Sequence, residues 1–159
     1  MKYTGLLLVV LLSAAGQLSA QDSPFQENGY GFFAAGSASG TATMHFGAGY
    51  EMEIYKGLGV GGEIGYLTPF SDFGDGFGVF SPNGVFQFRT ANDKFTPFIT
   101  GGYSLGFRSG HIDGFNFGGG THYWFGEKTA LRFEFRDQVF DVGPTLEHYY
   151  GFRLGLSFR

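Results

Sequence analysis

The chain has 159 residues, with 29 Gly, 21 Phe, 9 Tyr and no Cys, and only 15% of its residues are charged. The aromatic content argues against a disordered chain, and Gly at this density argues against a helical bundle, because each helical Gly costs about 1 kcal/mol. The lack of Cys excludes a disulfide framework and a Cys-ligated zinc site. The net charge of −4 provides no basic patch, so we expect no nucleic-acid partner.

The first residues have the pattern of a targeting segment. Lys2 precedes an apolar run over 6–12, and small residues follow as far as Ala20. A short positive region, an apolar stretch and a small-residue exit are typical of a secretory signal peptide. A transmembrane anchor is disfavoured, because the run is well short of the ~20 residues that a spanning helix needs. We predict cleavage after Ala20, which leaves Gln21 as the new N-terminus, with cleavage after Gly16 as the less favoured alternative.

From Gly29 onward, large apolar residues alternate with small or polar ones. This period of two predicts β-strands, because successive side chains of a strand point to opposite faces. The strands predicted in chain order are 29–38, 44–54, 58–66, 78–90, 95–108, 114–125, 129–137 and 150–159. Strands of about ten residues are long enough to cross a bilayer when they are tilted.

The connections between these strands alternate in length. Tight turns fall at 56–57, 91–94 and 126–128. Longer connections, several of them rich in Asp and Gly, fall at 38–43, 68–77, 109–113 and 141–147. Short periplasmic turns and longer outer loops are typical of a bacterial outer-membrane barrel, and an even number of strands puts both termini in the periplasm. The facing of Ile54 and Leu58 predicts a three-residue loop with Gly57 in the left-handed conformation.

Side-chain volume indicates which face points inward. One face carries many Phe, Tyr, Leu and Ile, and the other is rich in Gly with a few charged residues. An eight-stranded interior is only just wide enough for side chains to fill it, so the large residues are expected to face lipid. A secreted ligand-binding barrel of the lipocalin type is the alternative. Aromatic residues predict two interfacial belts. These are Tyr66, Phe70, Phe77, Tyr103, Phe107, Tyr149 and Tyr150 at one rim, and Tyr55, Phe88, Phe95, Tyr123, Trp124, Phe125 and Phe158 at the other.

Segments 123–137 and 150–159 resemble the small outer-membrane β-barrels of Gram-negative-type bacteria, of the OmpA and OmpX kind. Pattern and resemblance together predict an all-β protein, an eight-stranded antiparallel transmembrane β-barrel in the outer membrane. Its expected parts are a signal peptide (1–20), a short periplasmic N-terminal segment (21–28) and the barrel domain (29–159). The resemblance also implies that the barrel-assembly machinery reads the final strand as a C-terminal signal. The residues of that signal are Tyr150, Phe152, Leu154, Leu156 and Phe158.

No motif predicts an enzyme, a cofactor or a metal site. The glycines of 57–62 precede an alternating strand rather than a helix, so they do not form a phosphate-binding loop. The four His residues lack the spacing of a metal site, and two of them, His45 and His122, fall on the polar face. In the family that this chain resembles, small barrels that act on lipid A have a His-x-Ser pair backed by an acid. This sequence has no His-x-Ser pair, and His148 is followed by two Tyr.

Acidic residues collect in or near the predicted outer connections. They are Asp72, Asp75, Asp113, Asp137, Asp141 and Glu147. One interpretation is divalent-cation bridging to phosphorylated lipopolysaccharide, with Arg108 and His111 contacting lipid phosphate. The interpretation that we favour for any single residue is that loops are hydrophilic and that Asp-Gly makes turns.

The inward face is predicted to hold a cluster of charges. Its members are Glu51, Glu53, Glu63, Arg132, Glu134, Arg136 and Arg153. Charges in so confined a space are costly unless they are paired. A hairpin centred on Gly143–Pro144 puts Glu134 opposite Arg153, and Glu63 is expected to reach in from across the barrel.

These features predict a non-enzymatic outer-membrane protein with a structural or surface-interaction role and a lumen largely filled by side chains. Its expected partners are outer-membrane lipid, lipopolysaccharide and the barrel-assembly machinery, and we expect a monomer. The alternatives are a narrow porin-like channel for small solutes and, less favoured, a lipid A-modifying enzyme.

Overall fold

The computed structural model describes residues 27–90 and 94–159, which form one closed barrel of eight antiparallel strands in sequence order. The strands are β1 Glu27–Ala38, β2 Thr41–Tyr55, β3 Leu58–Pro69, β4 Phe77–Gln87, β5 Phe95–Phe107, β6 His111–Trp124, β7 Thr129–Asp141 and β8 Leu146–Phe158. β1 pairs with β8 and closes the barrel. Within the described ranges no helix is long and apolar enough to cross a membrane. The predicted all-β fold with eight antiparallel strands is confirmed.

The start of the barrel differs slightly from the prediction. β1 begins at Glu27 rather than at Gly29, because the alternation of the strand extends two residues upstream. Asn28 lies opposite Glu51 on β2. The predicted cleavage site between Ala20 and Gln21 lies outside the described residues and stays a prediction.

The large apolar side chains point outward. Ile64, Phe133 and Leu154 are 58%, 47% and 53% exposed, whereas the inward positions carry many Gly, polar and charged residues. Gly120 shows why the lumen favours small residues: a Cβ there would overlap the backbone oxygen of Phe133 on β7. A surface so rich in exposed large apolar side chains is stable in lipid rather than in water, so the outer surface of this barrel faces lipid. The lipocalin-type alternative, with its apolar face inside, is wrong.

The turn between β2 and β3 is shorter than predicted. Lys56 and Gly57 both have positive φ, 44° and 93°, and Tyr55 pairs with Leu58, so the loop has two residues. Positive φ at both central positions is typical of a type I′ hairpin turn. The parity that suggested a third loop residue comes from a β-bulge between Glu53 and Tyr55. The left-handed conformation of Gly57 is as predicted.

The expected contrast between short and long connections is wrong. At the end called the outer end here, the connections are 39–40, 70–76, 108–110 and 142–145. At the inner end, where β1 begins and β8 ends, they are 56–57, 88–94 and 125–128. Strands β6, β7 and β8 continue through residues that were predicted as loop, which shortens the outer connections. Residues 91–93 of the predicted inner turn lie outside the described ranges.

Three residues assigned to the aromatic belts point inward instead. Trp124 is buried inside the inner end. Phe77 and Tyr149 pack inside the outer end, in a group that we call the outer apolar layer. Its members are Leu67, Val79, Phe140, Phe77, Ile112 and Tyr149. Nearness to a strand end predicts a belt position, whereas strand parity decides whether a side chain points toward lipid or toward the lumen.

Candidate functional site

The middle of the lumen holds six charged side chains, called the lumen plug here. They are Glu51 on β2, Glu63 on β3, Arg132, Glu134 and Arg136 on β7, and Arg153 on β8. Each of these residues is at most 4% exposed. The pleat of β7 places three of them on one inward face, since residues two apart share a face. Carboxylates and guanidiniums are equal in number, so the plug carries no formal net charge.

The first contact of the plug across the lumen joins β8 to β3. Arg153 Nη1 donates to both carboxylate oxygens of Glu63 at 3.0 Å. Glu134 lies directly opposite Arg153 in the β7–β8 register, yet it bonds to its own strand neighbours. It accepts from Arg132 Nε at 2.9 Å and also from Arg136. Arg136 lies 3.7 Å from Glu63 as well, so the contacts within β7 are joined to the crossing pair.

Arg132 extends the plug toward the inner end. Its two terminal nitrogens donate to the two oxygens of Glu51 at 2.9 and 3.1 Å. Such a two-pronged pair is stronger and more directional than a single hydrogen bond. It links β7 to β2, which are not neighbours in the sheet.

Glu53 does not join the plug, so the prediction is wrong for this residue. Its carboxylate accepts from the backbone N–H of Gly57 at 2.8 Å and from Arg89 at 2.9 Å. Arg89 is largely exposed at the inner end. Glu53 lies two residues before the end of β2, so its carboxylate is at the rim of the barrel rather than at the centre.

Three aromatic rings against the plug were not predicted. The guanidinium of Arg132 lies 4.2 Å from the ring centres of both Tyr30 and Phe98, and that of Arg153 lies 4.4 Å from the ring centre of Phe32. Cation–π contacts of this kind stabilise a desolvated guanidinium. All three rings are buried. Their inward positions follow from strand parity, which is a signal that the sequence contains.

One of these rings also bonds directly to the plug. The hydroxyl of Tyr30 donates to Glu63 at 3.1 Å. Residue 49 on the neighbouring strand is Gly, and a Cβ there would overlap the Tyr30 ring. Gly49 thus provides the room in which Tyr30 reaches across to β3.

A buried histidine flanks the plug on each side. Arg153 lies 3.1 Å from Nδ1 of His45, and Arg132 lies 3.2 Å from Nε2 of His122. Because a guanidinium only donates, these ring nitrogens accept, and each imidazole is neutral with its proton on the other nitrogen. The structure therefore uses both inward histidines as acceptors for the plug.

Packed side chains lie above and below the plug. At the outer end the outer apolar layer leaves a cavity of about 20 Å³ beside His45, Arg136 and Gln138, which is room for about one water molecule. At the inner end the guanidinium of Arg159 lies 3.9 Å from the ring centre of Trp124. The plug is thus the centre of a filled lumen.

The outer acidic residues have partners within the chain. Asp72 accepts from the N–H of Gly74, Asp75 pairs with Arg108, Asp113 accepts from Tyr103, Asp137 pairs with His148, Asp141 accepts from the N–H of Gly143, and Glu147 accepts from Ser39. His111 is exposed at the start of β6. Among the described residues, no three side chains of the types that bind metal lie together. These contacts favour the interpretation of these acids as polar turn and rim residues.

The residues of the predicted assembly signal form one outward row on β8. They are Tyr150, Phe152, Leu154, Leu156 and Phe158, and all are exposed on the lipid-facing surface. Recognition of this row by the barrel-assembly machinery stays a prediction.

No protein-family description matches the sequence, and no curated protein matches it. Solved structures do match. The N-terminal β-barrel domain of Pseudomonas aeruginosa OprF has a TM-score of 0.62 and 14% identity, covering 84% of this chain and 99% of that one. Neisserial surface protein A has a TM-score of 0.65 and 14% identity, covering 86% and 97%. The outer membrane enzyme PagL has a TM-score of 0.53 and 16% identity, covering 82% and 99%.

These likenesses identify the fold as that of the small eight-stranded outer-membrane β-barrels, which confirms the predicted resemblance. The lipid-facing outer surface agrees with the predicted location in the bacterial outer membrane. One of the similar structures is an enzyme, so the fold alone assigns no activity.

Proposed function

We propose that the protein is an integral outer-membrane β-barrel with a structural or surface-interaction role, whose lumen is closed by the plug. One observation carries the proposal: buried ion pairs connect β2, β3, β7 and β8 across the middle of the barrel. A solute that passes through the lumen must displace these contacts. Breaking a buried ion pair costs about 3–5 kcal/mol when one partner is left uncompensated, so spontaneous opening is infrequent.

Single-channel recording in planar lipid bilayers tests the closed lumen. We expect the wild-type protein to be silent apart from rare, brief openings. Arg153→Gln removes the charged bond to Glu63 and is expected to lengthen the time spent open. Glu53→Gln is the matched control, because it removes a carboxylate of β2 that lies outside the plug. Steady conduction by the wild-type protein would overturn the proposal and identify a narrow channel.

A lipid A-modifying enzyme is the second candidate. It is favoured by the contact of 2.8 Å between Asp137 and His148 at the outer end and by the fold likeness to PagL. Nucleophilic catalysis needs a nucleophile beside the base, and the residues that follow His148 are Tyr149 and Tyr150. We therefore expect purified lipid A to be unchanged, by mass spectrometry, after incubation with the protein. A change in the mass of lipid A would assign the enzyme instead.

We further propose that the barrel inserts as a monomer among outer-membrane lipid and lipopolysaccharide, after the barrel-assembly machinery has read β8. Replacement of Phe152 and Phe158 by Ser tests the role of β8. The expected result is a lower yield of barrel in the outer membrane of cells with unchanged refolding into detergent. Equal losses in both settings would indicate a purely structural role for this row.

A further inference from the structure

We propose that the outer connection 70–76 folds back over the lipid-facing surface and anchors in the membrane, with the ring of Phe73 at the boundary between head groups and acyl chains. This contact rests on the proposed function, since the surface meets lipid only when the barrel is inserted. The connection then lies on the bilayer instead of projecting into the medium.

The connection covers the outward side of β3 at its outer end. Thr68 points outward by strand parity, yet it is fully buried. Its hydroxyl donates to the backbone oxygen of Asp72 at 3.0 Å. A Cβ at Gly76 would overlap the side chains of both Thr68 and Tyr66, so the backbone runs closely against the outer wall of the barrel. The connection therefore lies beside the barrel rather than above its mouth.

The ring of Phe73 extends the lipid-facing surface. Its centre lies 6.1 Å from the ring centre of Phe46 and 5.2 Å from that of Tyr66. Phe46 and Tyr66 lie opposite each other on β2 and β3 and point outward. Phe73 is 57% exposed, and Phe70, where the connection begins, is 50% exposed. Two large apolar side chains thus continue the apolar outer wall past the end of β3.

The backbone of the connection is suited to a site with little water. Three successive carbonyls, those of 72–74, accept hydrogen bonds from side chains of the barrel. The carbonyl of Phe73 accepts from the hydroxyl of Tyr66 at 2.9 Å, and that of Gly74 accepts from Arg108 at 2.8 Å. Water satisfies such groups in a loop that faces the medium, whereas an unsatisfied backbone group is costly in lipid. This pairing within the chain favours a contact with lipid.

The charged residues of the connection set its depth. Asp75 pairs with Arg108, and both side chains are more than half exposed. Asp72 is exposed as well. Charged side chains are costly in the hydrocarbon core, whereas aromatic rings collect at the interface with water. The connection therefore fits the interfacial region, with the Phe73 ring toward the acyl chains and the two acids toward water.

Depth-dependent fluorescence quenching tests the anchor. The chain has one Trp, Trp124, which is buried inside the inner end, so the wild type provides the background for Phe73→Trp. Each full chain is refolded into phosphatidylcholine vesicles whose acyl chains carry bromine either near the head group or near the methyl end. We expect the added Trp to emit at shorter wavelength than a Trp in water. It should lose most of its emission to bromine near the head group and much less to bromine near the methyl end.

Ser109→Trp is the matched control, because Ser109 is exposed in another outer connection, 108–110. Its emission should be quenched by acrylamide in the water and little by either brominated lipid. Gly76→Val, added to Phe73→Trp, should weaken quenching by lipid, because its side chain would displace the connection from the wall. Gly110→Val should not, because a Cβ at Gly110 meets open space.

Two results would overturn the inference. One is quenching of Phe73→Trp by brominated lipid that is no greater than that of Ser109→Trp, which would leave the ring free for a partner in the medium. The other is strongest quenching by bromine near the methyl end, which would place the ring in the hydrocarbon core. Failure of the wild-type chain to insert, seen as the absence of a heat-dependent change in gel mobility, would contradict the proposed function instead.

Discussion

At the residue scale, the contacts of the plug fall into two kinds. Arg132 and Arg136 reach Glu134 along one strand, so these contacts need only the pleat of β7. Glu63 and Arg153 come from β3 and β8, which approach each other only across a closed barrel. Burial of Glu63 and Arg153 is therefore favourable only when the barrel is closed. The stability of this ion pair thus depends on the whole fold.

Glu63→Gln and Arg153→Gln should therefore be strongly non-additive. Each substitution leaves a buried charge without its partner and is expected to lower the free energy of unfolding by about 3 kcal/mol. The double variant should lose about 1–3 kcal/mol less than the two single losses combined. Urea unfolding in lipid vesicles measures all three. Glu53→Gln, whose partner Arg89 is largely exposed, should cost less than about 1 kcal/mol. Additive losses for Glu63 and Arg153 would show that these two residues act independently.

Two glycines test the packing of the lumen against that of the lipid-facing surface. A Cβ at inward Gly120 would overlap the backbone oxygen of Phe133, so Gly120→Ala is expected to destabilise the barrel by about 1–3 kcal/mol. A Cβ at outward Gly84 would lie 3.8 Å from the backbone oxygen of Gly101, an ordinary van der Waals contact, so Gly84→Ala should be neutral or slightly stabilising. Both are measured by the same unfolding assay. Equal effects would contradict the assignment of faces.

At the element scale, β8 combines three roles in one alternating segment. Its outward row faces lipid, its inward Arg153 enters the plug, and its backbone pairs with both β1 and β7. Because the period is two, a one-residue shift in its pairing would bring the apolar row into the lumen and Arg153 into lipid. The pattern of β8 therefore specifies the register at the seam of the barrel.

A charge on the outward row of β8 should be costly according to its depth. Leu154→Arg is expected to lower the free energy of unfolding by about 2–4 kcal/mol, because this position lies toward the middle of the strand. Phe158→Arg, on the same face at the inner end, should cost about 0–1 kcal/mol from the charge, in addition to the lost ring. Equilibrium unfolding in vesicles distinguishes the two. A Leu154→Arg variant as stable as the wild type would show that this face does not contact lipid.

At the scale of the whole molecule, the closed ladder leaves no free strand edge within the barrel. Every strand pairs with two neighbours, including β1 with β8. In lipid no water is present to satisfy an open edge, and closure provides each strand with hydrogen-bonding partners on both sides. Closure also makes unfolding cooperative, because no strand can leave without breaking two ladders.

Two properties follow for the protein isolated from cells. It should fractionate with the outer membrane, and it should begin at Gln21, the residue that follows the predicted cleavage site of the predicted signal peptide. Unheated samples in detergent should migrate differently from heated ones, because the closed ladder resists the detergent until it is heated. N-terminal sequencing and gel electrophoresis before and after heating measure these properties. Recovery as a soluble periplasmic species would contradict the membrane assignment.

Local periodicity was sufficient to predict the strands and part of the plug. The alternation around Glu134 and Arg153, with the hairpin centre at Gly143–Pro144, predicts the register found between β7 and β8. Glu53 could not be placed in this way, because alternation predicts the face to which a side chain points and not its height along the barrel, and Glu53 lies near the end of β2. The predicted outer loops are longer than those of the structure, because polar residues at the outer end continue the strands instead of ending them.

The sequence by itself determined the number of strands, the direction of their apolar faces and the presence of opposite charges in the lumen, since each follows from period-two alternation and side-chain volume. Only the tertiary structure decided which charges meet. Glu63 and Arg153 are 90 residues apart, and Asp137 and His148 lie on a diagonal between strands. Such contacts depend on how strands far apart in the chain are brought together when the barrel closes, and no local pattern encodes that distance.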